Sequence, residues 1–421
     1  MDKQLNICLM NDSFPPLIDG VANTVLNYAR ILSSIHANCA VATPEYTGVV
    51  DDYPFPVVRY PSFNTVKYVG YRTGYPFDMP TLNTLKNYNF DIIHSHCPFI
   101  STMLARTLRE MTGAPIIFTY HTKFDIDIRN AIKAKLIQEA AIKIIVNNIS
   151  ACDEVWVVSE GAGENLRELG FEGTYRVMEN GVDMPKGVAA QSAIDEVTVK
   201  YDLSSDPVFL FVGRIMWYKG LRLILDALSA LKASGQNFTM LFVGDGADRA
   251  EVEEYAKSLG IYGQCRFTGA IRDREALRGI YSRSDLFLFP STFDTNGLVV
   301  REAAACGLGS LLIRGSCAAE GVKDGETGIL VEENAQSILE ALKAYIPNRE
   351  AMHAIGRQAQ DKLYFSWDES VSHAYKRYWE VLDSARTGET RRAISRTDDL
   401  YTFQSEWADT MGKIVSVFKK R

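Results

Sequence analysis

The chain has 421 residues, a length that suits two or three domains. Hydrophobic residues make up 47% and charged residues 23%, the balance of an ordinary soluble globular protein, and no apolar run approaches the roughly 20 residues of a membrane span. The net charge of −7 speaks against a general nucleic-acid binder, although it averages over the chain and leaves room for a local basic patch.

From the N-terminus, residues 5–10 read as a buried strand. The strand runs into a loop over residues 14–20, and residues 21–32 follow with helical periodicity. Further short β-rich runs occupy residues 39–42, 91–94, 115–118 and 154–158. Helical stretches separate them, which predicts βαβ units and a parallel sheet. The first apolar run, Ile7 to Met10, is far too short for a signal peptide. Residues 184–206 break the pattern as a polar, Pro-flanked connector, part of it helical. The alternation resumes with strands over 208–212, 239–243, 265–267, 286–289 and 311–313. Two doubly wound α/β domains are therefore expected, with ligands beyond the carboxyl ends of the strands and a cleft between two facing sheets. The domains are expected at 1–186 and 187–365, with helices over 366–421 crossing back to the first. Trp367, Trp379 and Trp407 mark those helices, residues 385–399 read as an exposed connector, and residues 407–418 resume an apolar face.

The seven cysteines are scattered without a CxxC pair, so zinc and redox readings are weak and a reducing cytoplasm fits best. His94 and His96 lie two apart, but no carboxylate cluster accompanies them, so no metal site is expected. His121, at the end of another strand, is either an active-site donor or a satisfied structural residue.

The most informative stretch runs from Pro290 to Gly307. Asp294 lies in the turn after an apolar strand, and Glu302 lies in the first turns of a helix. Between them, Asn296, Gly297 and Leu298 put bare N–H groups at a helix N-terminus, an anion site. Gly213 and Arg214 follow the first strand of the second domain, with Lys219 and Gly220 just beyond. Two cations five apart can flank a diphosphate, Arg214 as a fork of donors and Lys219 as a point charge, or they can simply face solvent. Gly269 and Ile271 end the third strand, either as a plain turn or as backbone polar groups for a planar base. Gly20 would let the first-domain backbone approach a phosphate, although a lone glycine usually marks a turn. Residues 123–146 form a basic amphipathic stretch that includes Lys133 and Lys135. Such a stretch lies on an anionic membrane surface or packs on the core with a solvated basic face.

Together these motifs resemble the retaining glycosyltransferases of family four, which have the GT-B fold of two facing Rossmann-like domains. The resemblance rests on Gly213-Arg214 with Lys219-Gly220, the acidic-x7-Glu segment from Asp294 to Glu302, the Ala303 to Gly307 run, Asn180 to Asp183, and Gly325 to Val331. It implies that Arg214 and Lys219 hold a donor diphosphate and that Glu302 binds ribose hydroxyls. Asp294 would sit against the donor sugar, with the amides of Asn296, Gly297 and Leu298 on phosphate or sugar. Ile271 would meet the base through its backbone, Gly20 would approach the phosphates, and His121 would lie beside the reacting sugar. No prosthetic group and no metal are called for; the donor would be a nucleotide-sugar, most simply a UDP-hexose. The chain departs from the family pattern at two places. The first acidic residue is usually Glu, and paired glycines usually stand where this chain has Asp19-Gly20. The Tyr120-His121-Thr122 run and the basic stretch look like the members that glycosylate membrane glycerolipids. A lipid acceptor, with peripheral association at the inner membrane face, is therefore expected. Alternatives are an acceptor in polysaccharide or glycoconjugate assembly, an epimerase or phosphorylase of similar fold, and a nucleotide-sugar-binding module without catalysis.

Overall fold

The computed structural model describes residues 4–17, 19–35, 37–66, 72–124, 128–129 and 134–387. The chain divides into two units, Met1–Asn180 with Trp367–Arg421, and Gly181–Ser366.

In the first unit the apolar runs become central strands buried on both faces, as a helix-covered parallel sheet requires, while the two edge strands are only partly buried. The strands are β1 (Asn6–Met10), β2 (Asn38–Pro44), β3 (Val57–Tyr60), β6 (Ile92–Ser95), β7 (Ile116–Tyr120), β8 (Glu154–Val157) and β9 (Arg176–Val177). They form one parallel sheet in the order β3-β2-β1-β6-β7-β8-β9. A small antiparallel pair, β4 (Ser62–Phe63) with β5 (Thr73–Gly74), stands apart from it. Strand β1 pairs with both β2 and β6, so the order reverses beside it. The loops after β1 and β6 therefore leave the sheet at the topological switch point. The helix Trp367–Thr387 belongs to this unit, where Tyr378 stacks on Trp156 at 5.5 Å between centroids.

The second unit repeats the plan with β10 (Val208–Val212), β11 (Thr239–Val243), β12 (Cys265–Gly269), β13 (Leu286–Phe289), β14 (Ser310–Ile313) and β15 (Ile329–Val331). All are parallel, in the order β12-β11-β10-β13-β14-β15. Here the order reverses between β10 and β13. The connector expected over 184–206 contains a helix, Gln191–Lys200, packed on the helix Arg274–Arg283 so closely that a Cβ on Gly279 would lie 2.8 Å from the Ala193 carbonyl oxygen. Sequence periodicity did not reveal β3, β4, β5, β9 or β15. The apolar segment 407–418 and residues 388–399 of the expected connector lie outside the described residues.

Candidate active site

Both segments singled out in the second half leave the sheet at its switch point. After β10 the chain turns at Gly213 and Arg214, then makes a short 3-10 turn, Trp217–Lys219. After β13 it runs through Pro290, Ser291 and Asp294 to Gly297, which caps the helix Leu298–Ala305. The two loops touch at Gly220. Its φ is +76°, and a Cβ there would fall 2.3 Å from the Pro290 carbonyl oxygen. Only glycine satisfies both conditions.

That contact brings Lys219 to Asp294. Lys219 is buried, and its ammonium donates to Asp294 Oδ1. Asp294 Oδ2 accepts a second bond from Ser291 Oγ at 2.5 Å. The rings of Phe289 and Phe293 lie 5.8 and 5.7 Å from the Lys219 Nζ, a cation–π setting that suits a desolvated ammonium. Burial pulls the Lys219 pKa below the ordinary lysine value; Arg214 pushes the same way and Asp294 opposes. Arg214 itself is exposed and makes no hydrogen bond or ion pair with the described residues. One cation is thus fixed and the other is open to an incoming anion.

The helix Leu298–Ala305 begins without a side-chain cap. Gly297 takes a left-handed φ of +59°, and a Cβ there would press to 2.8 Å against the Ala318 Cβ. Val300 N is spent on the Gly297 carbonyl oxygen at 2.8 Å, and no side chain caps the rest of the first turn, a setting in which helix N–H groups bind phosphate or carboxylate. Glu302, in the second turn, accepts from Tyr281 Oη at 3.0 Å and from Arg274 at 3.4 Å. Arg274 also reaches Asp183 at 3.3 Å. Burial raises the Glu302 pKa, against the pull of Arg274 and Tyr281. At the far side Gly244 N donates to Gly269 O at 3.0 Å, which joins the ends of β11 and β12, and the half-buried Ile271 follows.

In the first unit Gly20 opens the helix Gly20–Ser34. The carboxylate of Asp19 does not stand free: it caps this helix, accepting from Val21 N at 2.9 Å and Ala22 N at 2.7 Å. Space beside the Gly20 Cα is open. His121 follows β7, buried, with its Nε2 2.9 Å from His96 Nδ1. Burial pulls the His121 pKa down to about 3, so the ring is neutral at physiological pH. His94 spends both ring nitrogens within the fold, on Tyr378 Oη and Thr119 Oγ1, each at 2.7 Å. Among the described residues no cluster of His, Cys, Asp and Glu could hold a metal ion.

Two family models divide the chain between them. "Glycosyltransferase Family 4" matches residues 18–185 and "Glycosyl transferases group 1" matches residues 195–362. The chain is a glycosyltransferase with a family-four domain followed by a group 1 domain. Its relatives include an alpha-monoglucosyldiacylglycerol synthase of Streptococcus pneumoniae, 25% identical over 308 residues that cover 72% of this chain and 70% of the relative. A GDP-mannose-dependent alpha-(1-6)-phosphatidylinositol dimannoside mannosyltransferase of Mycobacterium tuberculosis is 24% identical over 77% of this chain and 84% of its own. Among solved structures, HepE of Anabaena in complex with UDP superposes with a TM-score of 0.72 at 16% identity, covering 89% of this chain and all of the other, which shows a shared GT-B fold.

Sequence reading of the glycosyltransferase missed the partners of its carboxylates. Ser291, Tyr281 and Arg274 were not singled out. Ser291 carried a signal, a hydroxyl three residues before Asp294; Tyr281 and Arg274 come from a different helix and carried none. The basic stretch 123–146 is only partly described: Ile126, Ile132 and Lys133 lie outside the described residues. Within the helix Lys135–Ser150, Ala141 and Ile145 are buried in the core, while Leu136 is 82% exposed beside an exposed Lys135. Among the described residues no helix is long and apolar enough to cross a membrane.

Proposed function

We propose that this glycosyltransferase moves a hexose from a nucleotide-sugar, UDP-hexose in the first instance, to a hydroxyl of a membrane glycerolipid, with retention at the anomeric carbon and without a metal ion. The observation that carries the reading is the grouping of Arg214, Lys219 and an uncapped helix N-terminus at one sheet switch point. When the bond from the anomeric carbon to the phosphate oxygen breaks, the nucleoside diphosphate leaves with the electron pair. The fixed ammonium of Lys219 and the helix N–H dipoles beside it stabilise that charge with little reorganisation, and the open guanidinium of Arg214 closes on it. Lys219 and Arg214 are assigned to the diphosphate, and the amides of Asn296, Gly297 and Leu298 to phosphate or sugar oxygens. Glu302 is assigned to the ribose hydroxyls, Ile271 to the base and Gly20 to phosphate approach. Asp294, steadied by Lys219 and Ser291, keeps lone pairs for a sugar hydroxyl. The acceptor oxygen attacks the same face of the sugar that the diphosphate leaves, and its proton passes to a phosphate oxygen. His121, neutral and buried, donates to the reacting sugar and is not a nucleophile.

The lipid acceptor is supported by the names of relatives that act on diacylglycerol and phosphatidylinositol derivatives. The exposed Lys135 and Leu136 suit an anionic membrane surface. The donor base is less constrained: one relative is GDP-mannose-dependent, and a structural neighbour holds UDP. A screen of nucleotide-sugars against diacylglycerol, phosphatidylinositol and soluble glycan acceptors, read by mass spectrometry, tests the reading. A hexosyl lipid is the expected product. Tight nucleotide-sugar binding by calorimetry with neither transfer nor hydrolysis would instead mark a binding module.

A further inference from the structure

The carboxylate of Glu302, on the helix Leu298–Ala305, is held by two residues of the helix Arg274–Arg283, and the two hold it differently. Tyr281 is fully buried, its ring set edge-on to Phe287 at 6.0 Å between centroids. Its hydroxyl donates to Glu302 Oε2 at 3.0 Å. The packed ring leaves that hydroxyl one position. Arg274 has a side chain 48% exposed; it reaches Glu302 Oε1 at 3.4 Å and also serves Asp183 at 3.3 Å. A long, solvated ion pair of this kind holds little. Tyr281 is therefore the fixed point from which the carboxylate takes its orientation. An ionised carboxylate offers about four lone-pair positions, two on each oxygen. Tyr281 and Arg274 use one on each, and one on each remains. The Glu302 side chain is 16% exposed, so it is not sealed from a ligand.

We infer that Tyr281 is a positioning residue for nucleotide selection: its buried hydroxyl fixes the Glu302 carboxylate so that each oxygen accepts one hydroxyl of a vicinal diol, which selects a ribonucleotide over its deoxy forms. The inference rests on the proposed assignment of Glu302 to the ribose. A vicinal diol donates two hydrogen bonds side by side, and a carboxylate rotated out of that plane meets only one of them. Without the Tyr281 hydroxyl, Oε2 has no fixed donor and the carboxylate is free to turn. With the hydroxyl in place, a deoxy ligand leaves one oxygen of a mostly buried carboxylate without its donor, a penalty that the ribonucleotide escapes.

The test is calorimetric titration of the full chain with UDP and GDP and with the 2′-deoxy and 3′-deoxy forms of whichever binds more tightly. The ratio of Kd values for the deoxy and ribo forms is the readout; it does not depend on the fraction of protein folded. The parent is expected to favour the ribo form roughly ten- to hundredfold, the range for a hydrogen bond to a charged group. Tyr281→Phe keeps the ring and its packing and removes one oxygen. It should cut the preference against at least one deoxy form by about threefold or more. Weakening of ribo and deoxy forms by the same factor would mean that Tyr281 only supports the fold, and would overturn the inference. Glu302→Ala separates the two claims. Loss of the preference there with a parent-like preference in Tyr281→Phe overturns the inference and leaves Glu302 on the ribose. A preference intact in Glu302→Ala removes the ribose assignment, and the inference with it. In the Glu302→Ala background, Tyr281→Phe should change the ratio no further; an additional fall would mean that Tyr281 does not act through Glu302.

Discussion

Lys219 and Asp294 are 75 residues apart in the chain and share a hydrogen bond at the switch point of the second sheet. The sequence showed each as a candidate for a different part of the donor, a cation for phosphate and a carboxylate for sugar. That they hold each other became visible only when Gly220 met Pro290, because a loop-to-loop contact has no periodicity to read. Replacing Lys219 or Arg214 by alanine should slow kcat by about 10²- to 10³-fold, the range for a lost donor to a developing anion. Steady-state rates near those of the parent in both variants would remove the diphosphate assignment. Lys219 also predicts a pH dependence. Its pKa is lowered by burial, so it loses its proton as pH rises through a value below the ordinary lysine pKa of about 10.4. The profile of kcat/KM, which reports the free enzyme, should therefore carry an alkaline limb below that value. The limb should move upward in Lys219→Arg. Asp294 is where the chain departs from its family. Asp294→Glu lengthens the carboxylate by one methylene and should change the ratio of kcat/KM among nucleotide-sugars by about tenfold, on the order of one hydrogen bond to a charged group. A donor panel assayed side by side gives that ratio, and an unchanged ratio would mean that Asp294 does not touch the sugar.

At the scale of elements, most strands were legible because a parallel sheet covered on both faces turns each strand into an unbroken apolar run. Val208–Val212 and Leu286–Phe289 are wholly buried and wholly apolar. The strands that escaped reading sit at edges or are very short. Val57–Tyr60 is half-buried along most of its length, Arg176–Val177 has two residues, and Ile329–Val331 has three. Their pairing comes from the neighbouring strand and not from their own pattern. The helix starts were legible, but not what caps them. Asp19 stands where the family usually has a glycine, and it is spent on two N–H groups of its own helix. Asp19→Ala should therefore destabilise the first unit by about 1 kcal/mol, as for other lost N-caps. Denaturant unfolding followed by a probe in that unit measures the loss; no change would mean that the cap contributes nothing. The helix Leu298–Ala305 shows the opposite choice, with its N-terminus left uncapped where an anion is proposed to bind.

At the scale of the whole molecule, each unit has its own parallel sheet and its own buried core. The doubly wound plan of both was read from the alternation of strand and helix signals, and the family models match the same two halves. The acceptor is the part that sequence and fold constrain least, since it depends on surface and not on core. If the acceptor is a membrane lipid, charge reversal at Lys133 and Lys135 should reduce co-sedimentation with anionic vesicles, by about 1 kcal/mol per charge near the surface. Unchanged co-sedimentation would remove the basic stretch 123–146 from membrane binding. The central claim, transfer with retention, is tested most directly by the configuration of the new glycosidic bond. The enzyme is incubated with UDP-α-glucose and diacylglycerol vesicles, and the anomeric proton coupling of the isolated glycolipid is measured by NMR. An α-linked glucosyl lipid is predicted; a β-linked product would contradict the account.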